Sequence, residues 1–175
     1  MAAAVGQTPP GNRDRLIDAA TALLEAHPGE ELSLRRVCAA VDVRMPTLYH
    51  YFGSKRGLLD AVSASGFERY LALKQSHQPS PNPLDDLRAG WDDHVEWGTQ
   101  HPAVYALIWR AVPRTRSSAA TRALQALTGI TDRAATLDQL TVTAAEAAEH
   151  VLASCVGVTL FLITGKDHLQ SQSPD

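Results

Sequence analysis

The stretch Ser33–Leu59, SLRRVCAAVDVRMPTLYHYFGSKRGLL, restricts the possible folds of this chain more than any other. Leu34, Val37, Cys38 and Val41 recur at helical spacing, and Ser33 stands where an N-cap belongs. Asp42 and Val43 can make a tight turn. Pro46 then sits near the first turn of a second helix, where a missing amide costs nothing. That helix, roughly Pro46–Phe52, is too short to bury much. Leu48 and Phe52, at i and i+4, face inward, while Thr47, Tyr49, His50 and Tyr51 reach outward with hydrogen-bonding groups. Two short helices joined in this way have the layout of a helix-turn-helix, in which one helix braces and the next lies in a DNA major groove.

The next turn sharpens the reading. Ser54 is placed to cap a further helix, with Lys55 and Arg56 in its first turn. Cations there oppose the helix dipole. They make sense beside an anion held by free backbone amides and two positive side chains, and a DNA phosphate meets that description.

Charge enters the argument at this point. The 175-residue chain carries a net charge of −3, but residues 1–56 hold 7 Lys+Arg against 6 Asp+Glu, and residues 57–175 hold 9 against 13. Attraction to nucleic acid must therefore come from a local basic face, with an acidic body turned away. The hydrophobic fraction, 45%, and the length suit one or two globular domains. Cys38 and Cys155 both lie in apolar helical contexts and read as buried thiols of a reducing cytoplasm, not as a disulfide or metal pair. The apolar run Val151–Thr164 is shorter than the ~20 residues of a membrane span. The start, MAAAVGQTPPGN, lacks the pattern of a signal peptide. The expected location is the cytoplasm, with no membrane partner.

The run Thr-Leu-Tyr-x-x-Phe-x-x-Lys-x-x-Leu-Leu within PTLYHYFGSKRGLL, with its spacing back to Ser33, Leu34 and Arg35, resembles the TetR family of transcriptional regulators. The resemblance covers roughly residues 12–75; beyond them the pattern is helical and compatible. It implies that Arg35, Met45, Pro46 and Thr47 approach base edges, with Arg44 a further candidate at the helix start. Tyr49, His50, Tyr51 and Lys55 would mainly hold phosphates. It also implies a homodimer that sets two recognition helices in successive major grooves, ~34 Å or somewhat more apart, on a palindromic double-stranded DNA operator. A small-molecule effector would favour a spacing unsuited to that operator, by differential affinity for two states.

The remaining elements follow in chain order. Asn12 can cap a first helix running to about Ala26, ended by His27-Pro28-Gly29. The fourth helix runs from Lys55 to about Gln75, weakened and open to bending at Gly66. Ser76–Pro83, with three prolines in five residues, reads as an extended connector. The expected domains are thus a flexible segment 1–11, a helix-turn-helix unit with its connecting helix at 12–75, a Pro-rich linker at 76–83, and a helical ligand-binding and dimerisation unit at 84–175. Within the last, Leu84, Leu87, Trp91, His94 or Val95, and Gly98 form one helical stripe. His101-Pro102 opens a helix closed by Pro113, and another runs from about Ser117 to Leu137. Thr143 and Glu146 form a capping box before a final helix that stops at Gly165. That helix is apolar almost all round and must be enclosed or paired. The fold class is all-α.

Trp91, His94, Tyr105, Trp109 and Cys155 are the candidates to wall a ligand pocket, apolar and aromatic with few polar groups. Trp97 lies off its helix stripe and is expected to pack against a neighbour or a partner. No cofactor is implied. His94 with His101, and Glu146 with His150, share helix faces, but no dense Cys/His spacing supports a metal. An enzyme is the rival class. The sequence lacks paired Glu-x-x-His, a phosphate-binding glycine loop, Gly-x-Ser-x-Gly and His-Glu-x-x-His. A DNA-binding dimer with no effector is the second alternative.

Overall fold

A computed structural model describes residues 11–75, 78–110 and 118–170. The expected flexible start, Ser76 and His77 of the linker, the Pro113 stop, the Ser117 start and the SQSPD tail fall outside these residues. Eight α-helices and no strand are present among the described residues. They are α1 Asn12–Ala26, α2 Leu34–Ala40, α3 Met45–Phe52, α4 Lys55–Gln75, α5 Pro83–Gln100, α6 Pro102–Arg110, α7 Ser118–Thr136 and α8 Ala144–Gln170. The fold is all-α. Its contacts divide the chain into Met1–Ser65 and Gly66–Asp175, a division that falls within α4.

In the first unit α1 packs on α2 and α3. Leu16, Ile17 and Ala20 of α1 meet a core completed by Val37, Leu48, Leu58 and Val62, all buried. Such burial of Leu and Ile side chains is worth ~1.5–3 kcal/mol each before entropy is counted. The cap of α1 differs from expectation. Gly11 is its N-cap, and Asn12 is the first helical residue, its Oδ1 accepting from Arg15 Nη1 at 3.2 Å.

The second unit is built on α8, which packs on α7 and α5, with α6 against α5 and α8. The capping box forms: Thr143 N donates to Glu146 Oε2 at 2.9 Å, and Glu146 N donates to Thr143 Oγ1 at 3.2 Å. The α8 helix then runs through Gly165 to Gln170 instead of stopping there. One glycine costs a helix only ~1 kcal/mol and does not end it. Leu152, Cys155 and Thr159 of α8 are buried, whereas Val158, Phe161 and Leu162 lie exposed, Phe161 at 74%. The span Ala144–Gly165 is long and apolar enough to cross a membrane by length and composition alone. Of that apolar window 28% is buried, and α8 packs on α5 and α7.

Two expectations about packing change. Leu84 is exposed, and the buried side of α5 runs through Pro83, His94, Trp97 and Gly98. Trp97 packs against Tyr70, His101 and Tyr105, with ring centroids 5.1–6.2 Å apart. Gly66 serves close packing: a Cβ there would lie 2.4 Å from Val104 Cγ1 of α6.

Candidate nucleic-acid interface and cavity

The turn that sets α3 is built from local chemistry. Ser33 Oγ accepts from Arg36 N at the start of α2. At its end Asp42 adopts the left-handed region, φ 54°, which Asp tolerates better than most residues. Val43 N donates to Cys38 O at 3.0 Å and Asp42 N to Ala39 O at 3.4 Å, the paired bonds of a Schellman end. Arg15 Nη2 of α1 donates to Val41 O at 2.9 Å, and Cys38 Sγ lies 3.6 Å from Met45 Sδ. The brace, the turn and the start of α3 are therefore tied to one another.

Arg44 is the N-cap of α3, and Pro46 occupies its first turn. Leu48 is its one fully buried side chain. Arg35, Arg44, Pro46, Tyr49, His50 and Tyr51 are exposed, with Tyr49 at 47% and Tyr51 at 41%; Met45, Thr47 and Lys55 are half-buried. None of the nine predicted residues is buried in the core.

Past Gly53, whose φ is 68°, Ser54 Oγ accepts from Gly57 N at 3.0 Å and caps α4. A Cβ on Gly57 would fall 2.0 Å from the Phe52 carbonyl oxygen, so this turn closes only around a glycine. Arg13 lies 5.7 Å over the Phe52 ring. Lys55 is not free: its Nζ donates to Glu31 Oε1 at 2.5 Å, and this pairing holds the exposed Glu31 carboxyl below its usual range. A partner 24 residues away has no local signature in sequence.

In the second unit a cavity of about 490 Å³ is bordered by α4, α5, α7 and α8. Trp91, His94 and Cys155 border it; Tyr105 and Trp109 do not, standing behind His94 with ring centroids 5.5 and 6.0 Å from it. Tyr70 Oη lies 2.9 Å from His94 Nδ1, and Tyr105 Oη lies 2.7 Å from His94 Nε2. Burial, aided by the nearby Lys74 charge, pushes His94 down to about 4, so the imidazole is neutral at pH 7. Burial also raises Cys155 to about 11.

At the cavity border Lys74 donates to the Gly90 carbonyl and pairs with Asp93 at 3.4 Å. Arg133 pairs with Asp86 at 2.8 Å and donates to the Ser80 carbonyl. Tyr70, Lys74 and Arg133 were not among the sequence candidates. Tyr70 lies on the apolar stripe of α4 and reads there as ordinary core. No group of three or more His, Cys, Asp or Glu placed to hold a metal occurs among the described residues.

A short exposed helix, held by one buried leucine and a fixed turn, defines the first unit as a helix-turn-helix domain. Residues 16–62 match the family model of bacterial regulatory proteins, tetR family. The similarity to that family is carried by this segment. Over 76 residues it is 37% identical to the HTH-type transcriptional repressor KstR of Rhodococcus jostii (strain RHA1), covering 43% of this chain and 35% of that protein. Over 91 residues it is 35% identical to the HTH-type transcriptional repressor DrrR1 of Streptomyces coeruleorubidus, covering 52% of this chain and 30% of that one. The chain thus spans about a third of the length of these curated relatives. A crystal structure of BioQ with its double-stranded DNA operator shares the fold, with a TM-score of 0.68 at 19% identity and 89% of each chain covered.

Proposed function

We propose that this chain is a DNA-binding transcriptional repressor of tetR type, acting in the cytoplasm as a homodimer on a palindromic operator. The observation that carries the reading is α3. It keeps Leu48 as its fully buried anchor and turns Tyr49, His50 and Tyr51 to solvent beside half-buried Thr47. A core helix of eight residues would not leave two tyrosines so exposed.

The roles then divide by chemistry. Arg35 is the best base reader, since its guanidinium fork matches guanine O6 and N7, and Arg44 flanks the start of α3. Met45 and Pro46 offer apolar contact to a thymine methyl, and Thr47 reaches base edges. Tyr49, His50, Tyr51 and Lys55 hold phosphates, which fix register without reading sequence. The relatives named as repressors and the operator-bound relative support DNA binding by this unit. The protein acts by binding, not by catalysis. The cavity of the second unit supports release by a small-molecule effector, with Trp91, His94 and Cys155 at its wall and Tyr105 and Trp109 behind them.

Selection of preferred sites from random duplex DNA with purified protein tests the reading. The expected product is an inverted repeat with half-sites about one helical turn apart or slightly more. A protein that enriches no sequence at modest salt refutes it.

A further inference from the structure

The charged groups around the cavity say what it does not hold. Lys74 faces Asp93, Arg133 faces Asp86, and Asp85 lies 3.5 Å from Arg88, so each ionic side chain at the border already has an opposite partner. An ionic ligand would have to break one of these pairs or enter without a counter-charge, and both cost free energy. Much of the remaining wall is apolar, with Leu71, Leu87, Leu127, Ile130 and Leu152.

Among the neutral polar groups at the border, which include Gln78, Ser80 and the Trp91 indole, the Tyr70 hydroxyl can act in two directions. A neutral imidazole has one donor and one acceptor nitrogen, and a tyrosine hydroxyl is both. In one arrangement Tyr70 donates to His94 Nδ1, and His94 Nε2 donates to the Tyr105 oxygen. The Tyr70 oxygen then has a lone pair for a ligand hydroxyl. In the other, Tyr105 donates to Nε2 and Nδ1 donates to Tyr70, which frees the Tyr70 proton for a ligand carbonyl. A shift of tautomer converts one into the other with no movement of heavy atoms.

We propose that the cavity takes a neutral, largely apolar molecule with a single hydroxyl or carbonyl oxygen, held at that oxygen by Tyr70. This builds on the reading of the cavity as a ligand site and names the ligand class. At about 490 Å³ the space suits a fused-ring molecule and falls within the usual range for small-molecule sites, ~300–1,000 Å³.

The test is an isosteric phenanthrene series titrated into the purified full chain and followed by tryptophan fluorescence and calorimetry. Its members are 2-acetylphenanthrene, 1-(2-phenanthryl)ethanol, 2-isopropylphenanthrene and phenanthrene-2-carboxylate. The ketone and the alcohol are expected to bind at least about tenfold more tightly than the hydrocarbon and the carboxylate. In Tyr70→Phe both should fall to the affinity of the hydrocarbon, which itself stays unchanged. The ranking on the unsubstituted protein decides the question even if that variant fails to fold. Preference for the carboxylate, equal affinity for the hydrocarbon and the ketone, or no binding by any member overturns the proposal. Tight ketone binding that leaves operator affinity untouched instead removes the effector role and keeps the ligand class.

Discussion

Lys55 reaches a carboxylate before it reaches any duplex, because Glu31 Oε1 lies 2.5 Å from its Nζ. With Lys55 in its proposed role, docking on DNA would exchange that carboxylate for a phosphate, so that Glu31 competes with the nucleic acid. Glu31→Gln is expected to tighten binding to matched and random duplexes alike, by a few-fold at low salt and less as salt rises. Fluorescence anisotropy across a salt series checks this; unchanged affinity at every salt concentration would remove the competition. Lys55→Ala should weaken all sequences about equally and lower the salt slope by about one unit. Arg35→Ala should relax preference at one base pair per half-site, where such a contact is worth ~1–3 kcal/mol. Identical effects of these two changes on matched and mismatched sites would refute the division of roles. The caps at Ser33, Ser54 and Thr143 were legible in sequence because each bond spans three residues. The Glu31–Lys55 pair and the Tyr70–His94–Tyr105 chain were not, since their partners lie 24 and 11 residues apart and only the fold brings them together.

Helix boundaries depend on chemistry of two ranges. Where a cap or a proline acts, as in α2, α3 and α5, the ends follow from neighbouring residues. Where only a glycine was available as a stop, as at Gly165, the helix continued, because one glycine weakens a helix without ending it. Gly66 has a use that its place in the sequence does not reveal. Besides any bend that it permits, it admits Val104 of α6 to the surface of α4. The proline-rich stretch marks a change in backbone chemistry, whereas the contacts divide the chain within α4. At the junction of α3 and α4 the close approach of Gly57 to the Phe52 carbonyl leaves no room for a methyl group. Gly57→Ala is therefore expected to destabilise the protein by ~1–3 kcal/mol, as overpacking does, and to weaken operator binding beyond that, since the turn carries Lys55. Thermal unfolding beside anisotropy checks it, and a variant matching the parent in both would show that the turn has slack.

For the chain as a whole, the neutral state of His94 ties stability to pH. Its ordinary value of 6.5 applies when unfolded, and in the fold it is pushed down to about 4. Between these values the unfolded chain binds more protons, so this contribution is complete above pH 6.5 and is lost as pH falls toward 4. The loss should reach about 3 kcal/mol. Denaturant midpoints at pH 7 and pH 4.5 measure it, and His94→Gln should flatten the difference; an equal slope in the variant would place the dependence elsewhere. Self-association belongs to this scale as well. Val158, Phe161 and Leu162 project from α8 without cover, and Phe161→Glu is expected to shift the proposed dimer to monomer in sedimentation while helicity is retained. A dimer that survives the change pairs through another face. Pairing through α8 would also shape the response to dilution. When most copies are solitary, operator occupancy grows with the square of protein abundance, so a modest fall in cellular copy number would switch a promoter on abruptly instead of by degrees.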